Sequence, residues 1–205
     1  MAADPVPDWP NQDAPAARPD WRERLALATD LALIGVLVTV AALPVLTAPA
    51  AVTAGSAAVR HRYTDGGLPP ARPLLRLYRR AILPGLPVLL VAAVLLADLV
   101  ALSRGWVPGG PVLFFGTAAV AGWLGGFATL AVVAIGRDTS LSFRSAARWA
   151  WEQATTRPWT ALAPAAAGVI AFFLALSVPA TIPLVLGFQI FAAHVITDRL
   201  APTPV

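Results

Sequence analysis

From Pro158 to Thr197 the chain runs for 40 residues without a formal charge. As one helix such a run would extend about 60 Å at 1.5 Å per residue, twice the ~30 Å hydrocarbon core of a bilayer. Two crossings are therefore predicted here, with "VPATIP" (Val178 to Pro183) as the turn between them. A second uncharged run, Leu31 to Val59, is 29 residues long and holds Pro44 and Pro49. Each proline removes a backbone donor and disfavours helix in the residue before it.

Whether that second run crosses once or twice is decided by charge. All 15 basic residues are arginine, and they flank apolar stretches, as residues that set membrane topology do. One crossing gives five spans, with Arg18, Arg22, Arg24 and Arg104 on one face and the other 11 arginines opposite. Two crossings, turning at Pro44–Pro49, give six segments, with 14 arginines on the face of both termini and Arg104 alone opposite. The second split obeys the positive-inside rule far better. The expected fold class is all-α: a polytopic transmembrane helical bundle of about six membrane helices plus two short cytoplasmic interfacial amphipathic helices. Both termini are expected in the cytoplasm of a bacterial cell, with the chain multi-pass in its plasma membrane.

The predicted units follow. Residues 1–19, with five prolines in the first 20 residues, read as a disordered polar cytoplasmic tail and not as a secretory signal. Residues 20–200 form the membrane domain. Its first helix starts near Trp21, with Asp20 and Glu23 spaced as in a capping box, and runs to Leu43. The second, about 49–64, is short and rich in small residues. Its Ala50, Ala54 and Ala58 form a stripe suited to close helix packing, and it either spans or is re-entrant. Pro73–Ala81 is amphipathic and basic, fit to lie in an interface as a short helix of its own. A span from Ile82 to Ser103 follows, with bends expected near Pro84 and Pro87, then one from Val112 to Gly136 carrying the stripe Ala118, Gly122 and Gly126. Ser140–Thr155 reads as the second interfacial helix.

Composition excludes several kinds of chemistry. Only 13% of residues are charged, against about 25% in soluble domains. There is no cysteine, hence no disulfide, thiolate metal site or cysteine nucleophile, and no lysine for a Schiff base or P-loop. With two histidines, at 61 and 194, the chain has no HExxH motif, and it has no GxSxG elbow. "GWLGG" (Gly122 to Gly126) falls mid-span with no preceding strand, so it is packing glycine and not a phosphate loop. Ser140, Ser142 and Ser145 have no base candidate nearby. No catalytic, cofactor-binding or metal-binding residue is assigned, and substrate-binding residues are unknown.

Intramembrane ionisable residues are the usual functional markers in membrane proteins. Asp30 lies near the cytoplasmic end of the first helix, Asp98 late in the third and His194 one turn from the end of the last. Asp30 and His194 share a depth and form one candidate pair. Asp98 reads as interfacial and His61, between Arg60 and Arg62, as solvated. The basic, proline-rich chain leaves no soluble face for nucleic acid. The Glu-Ala-Ala loop of ABC-type permeases is absent from "SAARWAWEQATTRPW".

The stretch "LPVLTAPAAVTAGSAAVRHRYTDG" resembles the YesL-like family of small bacterial membrane proteins, through Leu43, Pro44, Val45, Thr47, Pro49, Ala50, Arg60 and Arg62. The likeness extends over about residues 20–200. Departures are Thr47-Ala48-Pro49, where the family has Gly before Pro, and Ala and Gly where its second helix is aromatic. The family has no established activity, and its members often accompany carbohydrate uptake systems. The resemblance thus implies an accessory role near a carbohydrate transport system, with transporter subunits as partners beside the lipid bilayer; the lack of a catalytic cluster makes the expected protein non-enzymatic, with no cofactor. The alternative is a small transporter or channel acting as an oligomer; the oligomeric state is not set by the sequence.

Overall fold

The computed structural model describes residues 21–201. Asp20 and the expected tail, residues 1–19, lie outside them. Seven α-helices fill the described chain: α1 (Trp21–Ala42), α2 (Ala48–Asp65), α3 (Ala71–Ser103), α4 (Gly110–Arg137), α5 (Phe143–Thr156), α6 (Pro158–Ser177) and α7 (Ile182–Leu200). Short 3₁₀ turns, Val45–Thr47 and Pro179–Thr181, join α1 to α2 and α6 to α7. The fold is an all-α bundle, as the charge-free runs require. Five helical segments (α1, α3, α4, α6, and α7 with its preceding turn) are long and apolar enough to cross a bilayer. The chain is a multi-pass membrane protein.

The helices alternate in direction, and side-chain register shows it. Asp30 of α1 meets Arg62 of α2, and Val38 meets Gly55, so the chain folds back at the Pro44–Thr47 turn. Thr47 Oγ1 closes that turn by donating to Pro44 O (2.7 Å) and Ala41 O (2.8 Å), and Tyr78 Oη adds a bond to Ala41 O at 3.2 Å. Carbonyls at the break between α1 and α2 are thereby used within the protein. In α2 and α7, Ser56 and Arg60 face His194 and Asp198, four residues apart in the same order, so these helices are parallel. Pro164, Ala167 and Gly168 of α6 surround the Gln189 amide of α7. Its nitrogen donates to Ala167 O at 3.2 Å and its oxygen accepts from Gly168 N at 3.1 Å in the orientation that satisfies both ends. Trp21 and Trp159 are exposed at the arginine-rich end and Trp106 at the other, where indole rings suit headgroup depth.

The second helix, not among those five, is the hub. It packs against α1, α3, α4 and α7 and buries Ala50, Ala51, Thr53, Gly55, Ser56, Ala57, Ala58 and Val59. A helix enclosed by protein need not present apolar bulk to lipid, and small side chains let four neighbours approach its backbone. Ala50 and Ala58 of the predicted stripe are buried and Ala54 half-buried. At its start Pro49 packs on Gly85 of α3, 18 residues before the end of that helix, so about 27 Å of α3 continues past it. The α1–α2 turn therefore lies part-way along α3.

One expectation is corrected. Pro73–Ala81 is not a separate interfacial helix; it forms the first turns of α3, a single 33-residue helix about 50 Å long. The helix continues through Pro84 and Pro87, and Leu77 and Ala81 of its base are buried against the bundle, which holds the amphipathic turns in line. The second predicted interfacial helix does exist as α5. Ser142 caps it, accepting from Ser145 N at 3.1 Å. The stripe of α4 packs only in part: Gly126 meets the Ala161 backbone, whereas Gly122 faces open space.

Candidate functional site

Three helices, α2, α4 and α7, converge on a buried polar node. Ser56 is the residue at which α2 touches both others, and its neighbours allow that contact because Gly136 has no side chain: a Cβ there would strike Ser56 Oγ and approach the His194 ring at 3.1 Å. Ser56 and His194 are both fully buried. Ser56 Oγ lies 2.9 Å from His194 Nε2 and donates to Val132 O at 3.1 Å. His194 Nε2 also lies 3.1 Å from Ser56 O.

These contacts select a tautomer. A carbonyl oxygen can only accept, so Nε2 carries the proton and shares it between Ser56 O and Ser56 Oγ, while the hydroxyl hydrogen goes to Val132 O. His194 Nδ1 is then the bare lone pair, and among the described residues it has no partner. A serine activated for nucleophilic attack needs an unprotonated histidine nitrogen facing its oxygen and space for a substrate. Here the facing nitrogen is protonated and the space is filled by Gly136. The arrangement works as a clasp between three helices.

One turn along, a charged layer closes the same three helices. Asp198 accepts from Arg60 Nη1 and from Arg137 Nη2, both at 2.6 Å. The Arg137 side chain is 4% exposed, and its Nε and Nη1 have no acceptor among the described residues. The Trp149 ring of α5, 5.8 Å from the guanidinium carbon, supplies a cation–π contact. Beside this layer Arg62 Nε donates to Asp30 Oδ2 at 2.5 Å, tying α2 to α1. Two arginines on one carboxylate leave the layer with a net positive charge.

The sequence-based candidates are thus placed. Asp30 and His194 do not pair: Asp30 takes Arg62 and His194 takes Ser56, because the two face different sides of α2. Asp98 accepts from Thr117 Oγ1 at 2.9 Å and links α3 to α4. His61 is part-exposed and pairs with Asp65 one turn on, at 2.5 Å. Asp138, just past α4, accepts from Ser140 N (2.8 Å) and Ser140 Oγ (2.6 Å), and these bonds hold its carboxyl below the usual carboxylate range. Among the described residues no three His, Cys, Asp or Glu side chains group as metal ligands do. Sequence reasoning missed Ser56, Gln189, Arg137 and Asp198. The signal for two of them was present: Ser56–Arg60 and His194–Asp198 repeat one polar spacing on two helices. Comparison with protein-family models, with curated proteins and with solved structures gives no match to this chain.

Proposed function

We propose that this chain is a non-enzymatic protein of the bacterial plasma membrane that acts as an accessory or regulatory partner of a membrane transport system, with both termini cytoplasmic. The observation that carries this reading is α5. Three buried alanines, Ala146, Ala150 and Ala154, seat it against the bundle, and Trp151 stacks edge-on with Trp123 at 5.6 Å. Its outer face leaves Arg144, Arg148 and Glu152 exposed, and Arg72, Arg76, Arg79 and Arg80 are exposed on the base of α3. A rigid, charged platform at one end of a bundle suits docking to the cytoplasmic part of another protein. The resemblance to YesL-like proteins favours a carbohydrate uptake system as that partner.

Affinity purification in mild detergent after in-cell crosslinking tests this. Transporter subunits are expected with the wild-type chain and are expected to be lost from the charge-reversed Arg148→Glu/Glu152→Lys variant. Recovery of the chain alone, with and without inducing sugars, overturns the proposal. The competing reading, a small oligomeric transporter or channel, has less support, because the α2 node is closely packed and the carbonyls at the proline turn are occupied by Thr47 and Tyr78. Flux of a sugar or ion into proteoliposomes holding only this protein would favour it instead.

A further inference from the structure

A cavity lies between α3 and α4, backed by Thr53 of α2. It holds about 560 Å³ and is walled by Val88, Val91 and Leu95 of α3, Leu124 and Ala128 of α4, and Phe143 of α5. The two walls are joined at one end by the Thr117–Asp98 bond and at the other by the cluster in which Leu77 and Ala146 are buried together. Between those ends the groove is open at its side, where Val88 and Val91 are about half exposed. Its lining on α3 runs from Ala81 to Leu99, about 27 Å of helix and close to the ~30 Å hydrocarbon thickness. At roughly 30 Å³ per methylene-sized group, the space takes on the order of 18 of them, one long acyl chain.

The end at Phe143 is basic. Arg80 sits one turn before Pro84, on the same side of α3 as the groove lining, and Arg76 one turn before that. Arg144 follows Phe143 directly, and Arg148 follows Ala147. All four arginines are exposed. The carboxylates around them do not cancel this charge: Asp198 is shared by two other arginines, and Asp138, bonded to Ser140, and Glu152, one turn of α5 beyond Arg148, are two against four. Pro84 and Pro87 also leave the carbonyls of Arg80 and Leu83 without their helical donors, at the same end of the groove.

We propose that the groove between α3 and α4 holds one anionic phospholipid, with an acyl chain along Val88, Val91, Leu124 and Ala128 and the phosphate over Arg80 and Arg144. Charge complementarity sets the choice of occupant. An apolar slot of membrane length ending in arginines matches a lipid phosphate, whereas a partner helix of ordinary composition would leave those arginines facing it unpaired. The site goes beyond the docking role above and needs no transport partner.

Native mass spectrometry of the full chain, released from nanodiscs of equal phosphatidylglycerol and phosphatidylcholine, tests it. The wild type is expected to retain one phosphatidylglycerol per chain, favoured over phosphatidylcholine by on the order of tenfold. Filling the groove with Val91→Phe/Ala128→Phe should abolish the adduct. Arg80→Gln/Arg144→Gln, which changes only exposed side chains, should retain a lipid but lose the preference, and it decides the matter if the filled variant does not fold. Equal retention of the two lipids by the wild type, a filled and folded variant that keeps its phosphatidylglycerol, or a dimer mass in place of a lipid adduct would each overturn the proposal.

Discussion

Gly35 and Gly187 mark the closest approach of α1 and α7, and replacing either by alanine gives a strong test of the packing. A Cβ on Gly35 would strike Pro183 O and lie 2.9 Å from the carbonyl carbon; one on Gly187 would strike Leu31 O and again lie 2.9 Å from the carbonyl carbon. Ordinary contact begins at 3.4 Å, so the helices must part by at least about half an ångström at the carbon, and further at the oxygen. That separation stretches Cα–H···O contacts and weakens dispersion along the whole crossing, the two forces that hold helices together where lipid offers no hydrophobic drive. Overpacking of this kind costs about 1–3 kcal/mol. Gly122 of α4 is the control: nothing lies within 4 Å of its added Cβ, and alanine gains up to about 1 kcal/mol of helix propensity there. Gly35 gains the same propensity inside α1, so that term cancels and the expected gap between Gly35→Ala and Gly122→Ala is the overpacking cost, about 1–3 kcal/mol, read by SDS unfolding in mixed micelles with the seven tryptophans as reporters. The double variant Gly35→Ala/Gly187→Ala should cost less than the two single changes together, because one parting of the helices relieves both clashes. If Gly35→Ala unfolds with Gly122→Ala, the α1–α7 crossing described above is wrong.

Asp198→Asn removes the only carboxylate that meets Arg137 among the described residues, and the Arg137 side chain is almost fully buried; the thermal midpoint in detergent should fall by far more than for Arg60→Gln, which leaves the Asp198–Arg137 bond in place. Ser56→Ala should cost about 1 kcal/mol and leave the fold intact, whereas Ser56→Val should be much worse because Gly136 closes on that position; the same unfolding assay reads both. The Asp138 carboxyl is depressed by its bonds from Ser140, so its contribution to stability is fully present above the ordinary aspartate value. It should fade as pH falls through the lower folded-state value; Ser140→Ala should move the Asp138 titration, followed by NMR, back up towards the ordinary range.

The number of segments was legible in the sequence because two physical limits act on the chain as a whole. Charge-free runs have a maximum length set by bilayer thickness, and guanidinium groups resist transfer across it. Pro44 and Pro49 then place the first reversal, and the Asp30–Arg62 contact bears that reversal out. What hydropathy conceals is which helix lies at the centre. Ala51, Gly55 and Ser56 make α2 a poor candidate for lipid exposure, and that same smallness lets four helices surround it. The continuity of α3 was hidden for a related reason. Arg72, Arg76, Arg79 and Arg80 read as an interface, yet the apolar positions Leu74, Leu77 and Ala81 continue in helical phase through Pro84, so one helix serves both roles. Partner choice in the site was out of reach because depth alone was compared. Asp30 meets α2 at Arg62 and His194 meets it at Ser56, six residues and about a third of a turn apart, and only the helical phase of α2 separates these partners.

Helix direction turns membrane sidedness into a single binary question. Because α1, α3 and α6 run one way and α2, α4 and α7 the other, Gly67 and Thr139 must lie on one side of the membrane and Val107 on the opposite side. The wild-type chain has no cysteine, so single cysteines at these positions can be labelled in intact cells with a membrane-impermeant maleimide without any background from the protein itself. With the arginine-rich end in the cytoplasm, Val107→Cys labels strongly and Gly67→Cys and Thr139→Cys only after lysis. The reverse pattern would keep the bundle and invert its orientation, moving the α5 platform to the outside and ending its role as a cytoplasmic dock. Unlike labelling at 67 and 139 would be more serious. It would mean that α3 and α4 do not form a hairpin, and the Asp98–Thr117 bond and the groove between those helices would go with it.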